Sequence, residues 1–166
     1  MEKVLVSSCL LGNRVRYNGR DLPCSNDVLK KWLQEGRIVS VCPEVSAGLP
    51  IPRAPAEIKN GNGESVLKHD AIVIENTGED VSQAFISGAK IALKLCQENN
   101  IKVAVLTESS PSCGSSKIYN GDFSNTKIAG FGVTSALLME NGIQVFSQHN
   151  FTEAAEFLSK IQATRS

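Results

Sequence analysis

The chain has 166 residues, 42% of them hydrophobic and 20% charged, which suits one folded domain and excludes a disordered or low-complexity chain. Lys+Arg and Asp+Glu both number 17, a formal net charge of zero, so strong nucleic-acid binding through phosphates is not expected. The opening MEKVLVSSCLLG lacks the basic start and long apolar run of a signal peptide, and no stretch is long enough to span a membrane. A cytoplasmic location is therefore expected, where thiols stay reduced. The five cysteines then read as metal ligands, reactive thiols or core residues ahead of disulfides.

In chain order, KVLVSSC (3–9) is an apolar run that predicts a buried strand. A polar loop follows to Cys24. SNDVLKKWLQEG (25–36) predicts a helix capped by Ser25 and stopped by Gly36, with Val28, Leu29, Trp32 and Leu33 on one apolar face. RIVSVCPE (37–44) predicts a second strand ended by Pro43. The segment 45–65 carries Pro50, Pro52 and Pro55, half the prolines of the chain, and predicts a long functional loop without regular structure. A third strand and turn are expected in AIVIENTG (71–78), and a long helix over 80–100 with Phe85, Ala89, Ala92, Leu93 and Cys96 on one face. KVAVLTESSPSCGSS (102–116) begins as a strand and breaks at Ser109. Segment 117–131 reads as a polar loop, 132–142 as a helix, 144–147 as a last strand, and 152–162 as a helix capped by Thr152. The alternation predicts one α/β domain over residues 1–166, three-layered and Rossmann-like, with a mostly parallel sheet.

In an open parallel sheet the C-terminal strand ends share one edge, and ligands bind in the crevice outside it. Cys9, Cys42 and Cys113 each follow a predicted strand, so this topology gathers them at one edge. Cys96 falls on an apolar helix face and reads as core. Cys24, before a helix in a polar loop, reads as a bystander near the site ahead of a fourth ligand. No C-x-x-C pair of a structural zinc site occurs, and His69 and His149 lie outside the cysteine motifs. Iron–sulfur clusters take Cys thiolates, usually four; three would leave one iron open to act as a Lewis acid. By spacing alone, three unrelated buried cysteines stand level with this reading, because Cys is among the most buried residue types. A zinc- or nucleotide-binding module and a thiol redox sensor are the further alternatives. The chain carries neither a G-x-x-x-x-G-K-[ST] loop nor a strand-linked G-x-G-x-x-G.

Three runs in order, SSCLLGNRVRYNG (7–19), VCPEVSAGLPIPRAPAEI (41–58) and ESSPSCGSSKIYNGDFSNTKIAGFGVTSALL (108–138), resemble the thiouracil desulfidase family over roughly residues 1–147. The resemblance implies an enzyme that replaces the sulfur of thiouracil-type bases with oxygen and releases hydrogen sulfide. It implies a [4Fe–4S] cluster on the motif cysteines Cys9, Cys42 and Cys113. The expected partner is a small thiolated pyrimidine or its nucleotide. Redox-neutral hydrolysis of C=S needs a water and a base. Glu44, beside Pro43 and two residues after Cys42, is the candidate general base; otherwise it is a solvated loop carboxylate. Ser110 is the candidate catalytic helper and Ser112 a hydrogen-bonding partner of the base edge, although Ser-Pro-Ser is also ordinary turn chemistry. Arg16, Arg53 and Lys117 are candidate phosphate or substrate contacts, or plain surface charges. Gly12, Gly48 and Gly114 admit a close cofactor or serve turns.

Overall fold

A computed structural model describes residues 2–12, 18 and 26–165. In chain order its elements are β1 (Val4–Ser7), a 3-10 turn at Ser8–Leu11, α1 (Asp27–Gln34), β2 (Ile38–Val41), α2 (Pro43–Ser46), β3 (Ala56–Lys59), α3 (Gly63–Leu67), β4 (Ile72–Glu75), α4 (Ser82–Glu98), β5 (Val103–Leu106), β6 (Lys117–Tyr119), β7 (Lys127–Ala129), α5 (Val133–Glu140), β8 (Gln144–Ser147) and α6 (Phe151–Arg165). Among the described residues no helix is long and apolar enough to cross a membrane.

The central sheet has the order β2-β1-β5-β8, and every neighbouring pair is parallel, with Val4 facing Ile38 on one side and Val103 on the other. Val4, Leu5, Val6, Val103 and Val105 are fully buried. Both faces are covered, which is why these strands read as continuous apolar runs and not as alternating ones. Val4, Val6, Val103 and Val105 pack on Leu29 and Trp32 of α1 and on Phe151, Ala154 and Leu158 of α6. Leu5, Ala104 and Leu106 point the other way, onto Ala92 and Cys96 of α4 and Leu138 of α5. The period-2 alternation of the strands thus builds the three layers that the element order predicts. Cys96 is 1% exposed, and burial pushes its thiol up to about 12, an inert core residue as its helical position implies.

Three local expectations differ from the structure. The long segment after Cys42 is not wholly irregular: past Pro55 the chain enters β3, which pairs antiparallel with β4, Ala56 opposite Glu75 and Lys59 opposite Ile72. The strand in 71–78 therefore belongs to a separate two-stranded sheet, not to the central one. The breaker residues stop at Pro55 and exert no restraint over 56–59. Segment 117–131 holds the hairpin β6–β7, whose three-residue strands are too short for an alternation to show. The helix caps also shift. Asn26 caps α1, its Oδ1 accepting the N–H groups of Val28 and Leu29 at 2.8 and 3.4 Å, and Ser25 lies outside the described residues. The last helix begins at Phe151, so Thr152 sits inside its first turn.

The strand order turns outward from β1 in two directions, first to β2 and later to β5. Such a switch point opens a crevice at the C-terminal strand ends.

Candidate active site

That crevice is a cavity of about 460 Å³, and Cys9, Cys42 and Cys113 all line it. Cys9 sits in the 3-10 turn directly after β1. Cys42 follows β2 and precedes α2, at its N-cap position. Cys113 lies in the loop between β5 and β6. Cys9 and Cys113 are buried and Cys42 is half-buried.

The Cys42 and Cys113 loops are held from behind. Two glycines let helices press onto them: a Cβ on Gly88 of α4 would stand 2.3 Å from the Pro43 carbonyl oxygen, and one on Gly132 would stand 2.4 Å from the Ser112 carbonyl carbon and oxygen. The Ser110 hydroxyl oxygen accepts the N–H groups of Ser112 and Cys113 at 3.1 and 3.2 Å. Ser135 Oγ donates to the Cys113 carbonyl at 2.8 Å. The strongest tie comes from Glu108. Its carboxylate accepts the main-chain N–H groups of Ser109, Ser115, Ser116 and Lys117 and the hydroxyls of Ser115 and Ser116. Burial alone would raise the Glu108 pKa, but the donated hydrogen bonds outweigh it and hold the group at about 2. Loop 108–117 is therefore closed around an anion.

The three thiols feel one another. Burial raises the Cys113 thiol well above its ordinary range, and the negative charge of Cys42, Glu44 and Cys9 raises it further, against a hydrogen bond from Ser7. Cys42 is raised by burial, while a hydrogen bond from the Val45 N–H and the charge of Arg53 act the other way. Three thiolates do not coexist at such a site without a cation among them, and a metal centre supplies that charge and deprotonates its ligands outright. The donor set is soft, all sulfur, of the kind that selects iron–sulfur clusters or zinc. Among the described residues no group of three or more His, Cys, Asp or Glu side chains is placed to hold a metal ion. A cluster is wider than a single ion, and its ligands stand further apart. The residues present fit such a cluster.

The family model for 2-thiouracil desulfurase matches residues 4–150. The chain belongs to the 2-thiouracil desulfurase family. Its structure is similar to that of a [4Fe–4S]-dependent thiouracil desulfidase, TudS, with a TM-score of 0.87 and 46% sequence identity, covering 96% of this chain and 99% of that one. It is also 43% identical over 150 residues to the Bacillus subtilis (strain 168) protein YbbK, itself uncharacterized, covering 90% of this chain and 98% of its relative.

Within this desulfurase fold most of the sequence-predicted residues meet. Glu44, Arg53, Ser110 and Ser112 line the same cavity as the three cysteines. Arg53 bonds the Glu44 carboxylate, its Nε lying 3.0 Å from Oε2 and one terminal nitrogen also on Oε2; it also reaches the Pro50 carbonyl at 3.1 Å. Ser112 is 1% exposed, and its hydroxyl shares a hydrogen bond with Thr134 of α5 at 2.9 Å. Lys117 is exposed at the start of β6 and does not line the cavity. Gly12 and Gly48 are turn residues in the left-handed region, and Gly114 packs against carbonyls of its own loop. Arg16 and Cys24 lie outside the described residues. Sequence reasoning passed over Glu57 and Glu108, two carboxylates that pin loops beside the cavity. Glu57 is buried on β3, and its Oε1 accepts the N–H groups of Gly121 and Phe123 at 2.9 and 3.3 Å. A lone acid in an apolar run, as in AEIK, is the signal that was available for it.

Proposed function

We propose that the chain is an iron–sulfur-dependent desulfidase that hydrolyses the C=S group of a thiouracil-type base or its nucleotide. Water and the thiocarbonyl are consumed; the oxo base and hydrogen sulfide are formed, with no net change of oxidation state. The observation that carries the reading is the gathering of three thiols and the Glu44 carboxylate around a single cavity, in a chain 46% identical to TudS.

Cys9, Cys42 and Cys113 would hold a [4Fe–4S] cluster, and a three-cysteine set leaves one iron without a protein ligand. When bound, that cluster supplies a thiophilic Lewis acid that polarises C=S. Glu44 takes the proton of the attacking water as the C–O bond forms, and the departing sulfur receives a proton on release as the C–S bond breaks. Both Arg53 bonds fall on Oε2 of Glu44, which leaves Oε1 to face the water. Arg53 is thus a positioning residue for the base. Ser110 accepts two N–H groups with its oxygen, so its own proton remains as a donor to the polar edge of the pyrimidine. Ser112, bonded to Thr134, braces the loop that carries Cys113. The lining contributed by Tyr119 and Phe123 offers aromatic surface to a planar base.

The test is anaerobic reconstitution followed by sulfide release from thiouracils and their nucleotides, with iron content measured on the same samples. Protein carrying a full cluster and releasing sulfide from at least one such substrate supports the reading. A full cluster with no sulfide from any thiolated pyrimidine overturns the substrate class.

A further inference from the structure

Two buried hydroxyls join the cysteines at the switch point. Ser7 ends β1 and is 3% exposed; Thr107 follows β5 and is 5% exposed. The two strands are neighbours, Val6 opposite Val105, and just past this register the Thr107 N–H donates to Ser7 Oγ at 3.0 Å. Thr107 Oγ1 lies 2.9 Å from Cys9 Sγ. Ser7 lines the same cavity as Cys113, and its side chain favours the Cys113 thiolate. One main-chain bond thus ties two hydroxyls, of which one reaches Cys9 and the other lies on the cavity that Cys113 lines.

We propose that Ser7 and Thr107 form a hydroxyl clamp that donates hydrogen bonds to the Cys113 and Cys9 thiolates and sets the electron demand of the cluster they hold. The proposal rests on the cluster reading above. Its direction follows from proton inventory. Between a thiol and a hydroxyl either atom can donate; a ligating thiolate has no proton, so only the Thr107 hydroxyl can donate to it. Ser7 spends its acceptor oxygen on the Thr107 N–H, which leaves its proton for the Cys113 sulfur. A role limited to stapling β1 to β5 is already served by the N–H bond and needs neither hydroxyl proton.

Hydrogen bonds to ligating sulfur withdraw charge from it and raise the potential of an iron–sulfur cluster. The same withdrawal makes iron a stronger acceptor for the sulfur of a thiocarbonyl. The Cys42 thiolate is favoured by the main-chain N–H of Val45, which side-chain substitution at Ser7 or Thr107 leaves in place.

The experiment compares wild type, Thr107→Val, Thr107→Ser and Ser7→Ala after anaerobic reconstitution, at equal iron content, by redox titration of the cluster and by resonance Raman spectra of its Fe–S(Cys) modes in light and heavy water. Valine keeps the shape of threonine and removes the proton; serine keeps the proton. A more negative potential and a smaller deuterium shift in Thr107→Val and Ser7→Ala, with Thr107→Ser close to wild type, supports the clamp. Unchanged potential and spectra in the loaded Val and Ala variants overturn it. Loss of the cluster from Thr107→Val with retention in Thr107→Ser also supports it, and loss from both overturns it. Wild type that binds no iron removes the cluster reading, and this proposal falls with it.

Discussion

Glu44 and Arg53 form an ion pair at the wall of the cysteine cavity, with only 13% and 4% of their side chains exposed. Desolvated pairs of this kind are retained for position more than for net stability, and here the geometry leaves one carboxylate oxygen for other work. Glu44→Gln keeps the shape but cannot take a proton. At matched iron content it should slow sulfide release by about 10²- to 10⁴-fold while leaving cluster loading intact. Near-normal turnover in the Gln variant would remove Glu44 from the mechanism.

Removing Arg53 isolates a different effect. In Arg53→Met the Glu44 carboxylate stays in its half-buried place without its cation. Breaking a buried pair by deleting one partner costs roughly 3–5 kcal/mol, and the remaining exposure of Glu44 places this site at or below the low end. A lower denaturation midpoint is expected together with reduced turnover. The double variant Glu44→Gln/Arg53→Met should recover much of the stability and none of the activity. A stability loss in the double variant equal to the sum of the losses in Glu44→Gln and Arg53→Met would show that the two side chains are not energetically coupled.

The cysteines divide by environment. Cys9→Ser, Cys42→Ser and Cys113→Ser each remove a sulfur from the cavity and should abolish or sharply reduce iron and sulfide binding after reconstitution. Cys96→Ala lies in the core between α4 and the sheet and should load normally, at a cost in thermal stability. Normal iron content in Cys9→Ser would end the three-cysteine assignment.

The central sheet and the place of the cysteines were legible because buried parallel strands announce themselves as apolar runs and because topology fixes where their C-terminal ends lie. Val4–Ser7 and Val103–Leu106 needed no further information. The β3–β4 and β6–β7 pairs were not legible: their strands are three or four residues long, half-exposed, and stabilised by tertiary contacts such as those of Ile58, Val73 and Ile118 in a shared cluster. The candidate site divides the same way. Residue type and order suggested Cys9, Cys42, Cys113, Glu44 and Ser110, whereas hydrogen-bond direction required coordinates. Nothing in the sequence tells Ser112, turned onto Thr134, from Ser110, or Arg53, bound to Glu44, from the exposed Lys117.

Glu108 predicts a pH dependence. Its folded pKa lies near 2, below the ordinary value of 4.5, so the folded state holds its proton less tightly than the unfolded chain does. The stability this group contributes is fully present above the unfolded value and is lost as pH falls through about 4.5 towards 2. Wild type should therefore lose thermal stability over that window more steeply than Glu108→Gln, which has no proton to bind. The measurement is the denaturation midpoint against pH for both proteins, and parallel curves would show that the carboxylate is not held as the structure places it. Above pH 6 Glu108→Gln should be the less stable, because a neutral amide oxygen replaces an anion that accepts six hydrogen bonds.

Glu57 tests whether the aromatic wall is pinned. Phe123 lines the cavity although it is 37% exposed, and its backbone sits in the left-handed region at φ 54°, a conformation that a phenylalanine adopts only when its surroundings impose it. The imposing group is the Glu57 carboxylate, which takes the N–H of Phe123 and that of Gly121 two residues earlier. Glu57→Ala leaves both donors without that acceptor and should cost on the order of 1–3 kcal/mol. Its effect on turnover should appear in KM more than in kcat, since Phe123 and Asn125 would lose their fixed place along the substrate cavity while the cysteine loops keep theirs. Glu57→Gln retains a carbonyl oxygen in the same position and should restore most of both properties. Iron content is expected to stay at the wild-type level in both variants, which separates a displaced wall from a damaged cluster site. Should Glu57→Ala lose iron while KM is unchanged, the loop would belong to the cofactor site and not to substrate binding.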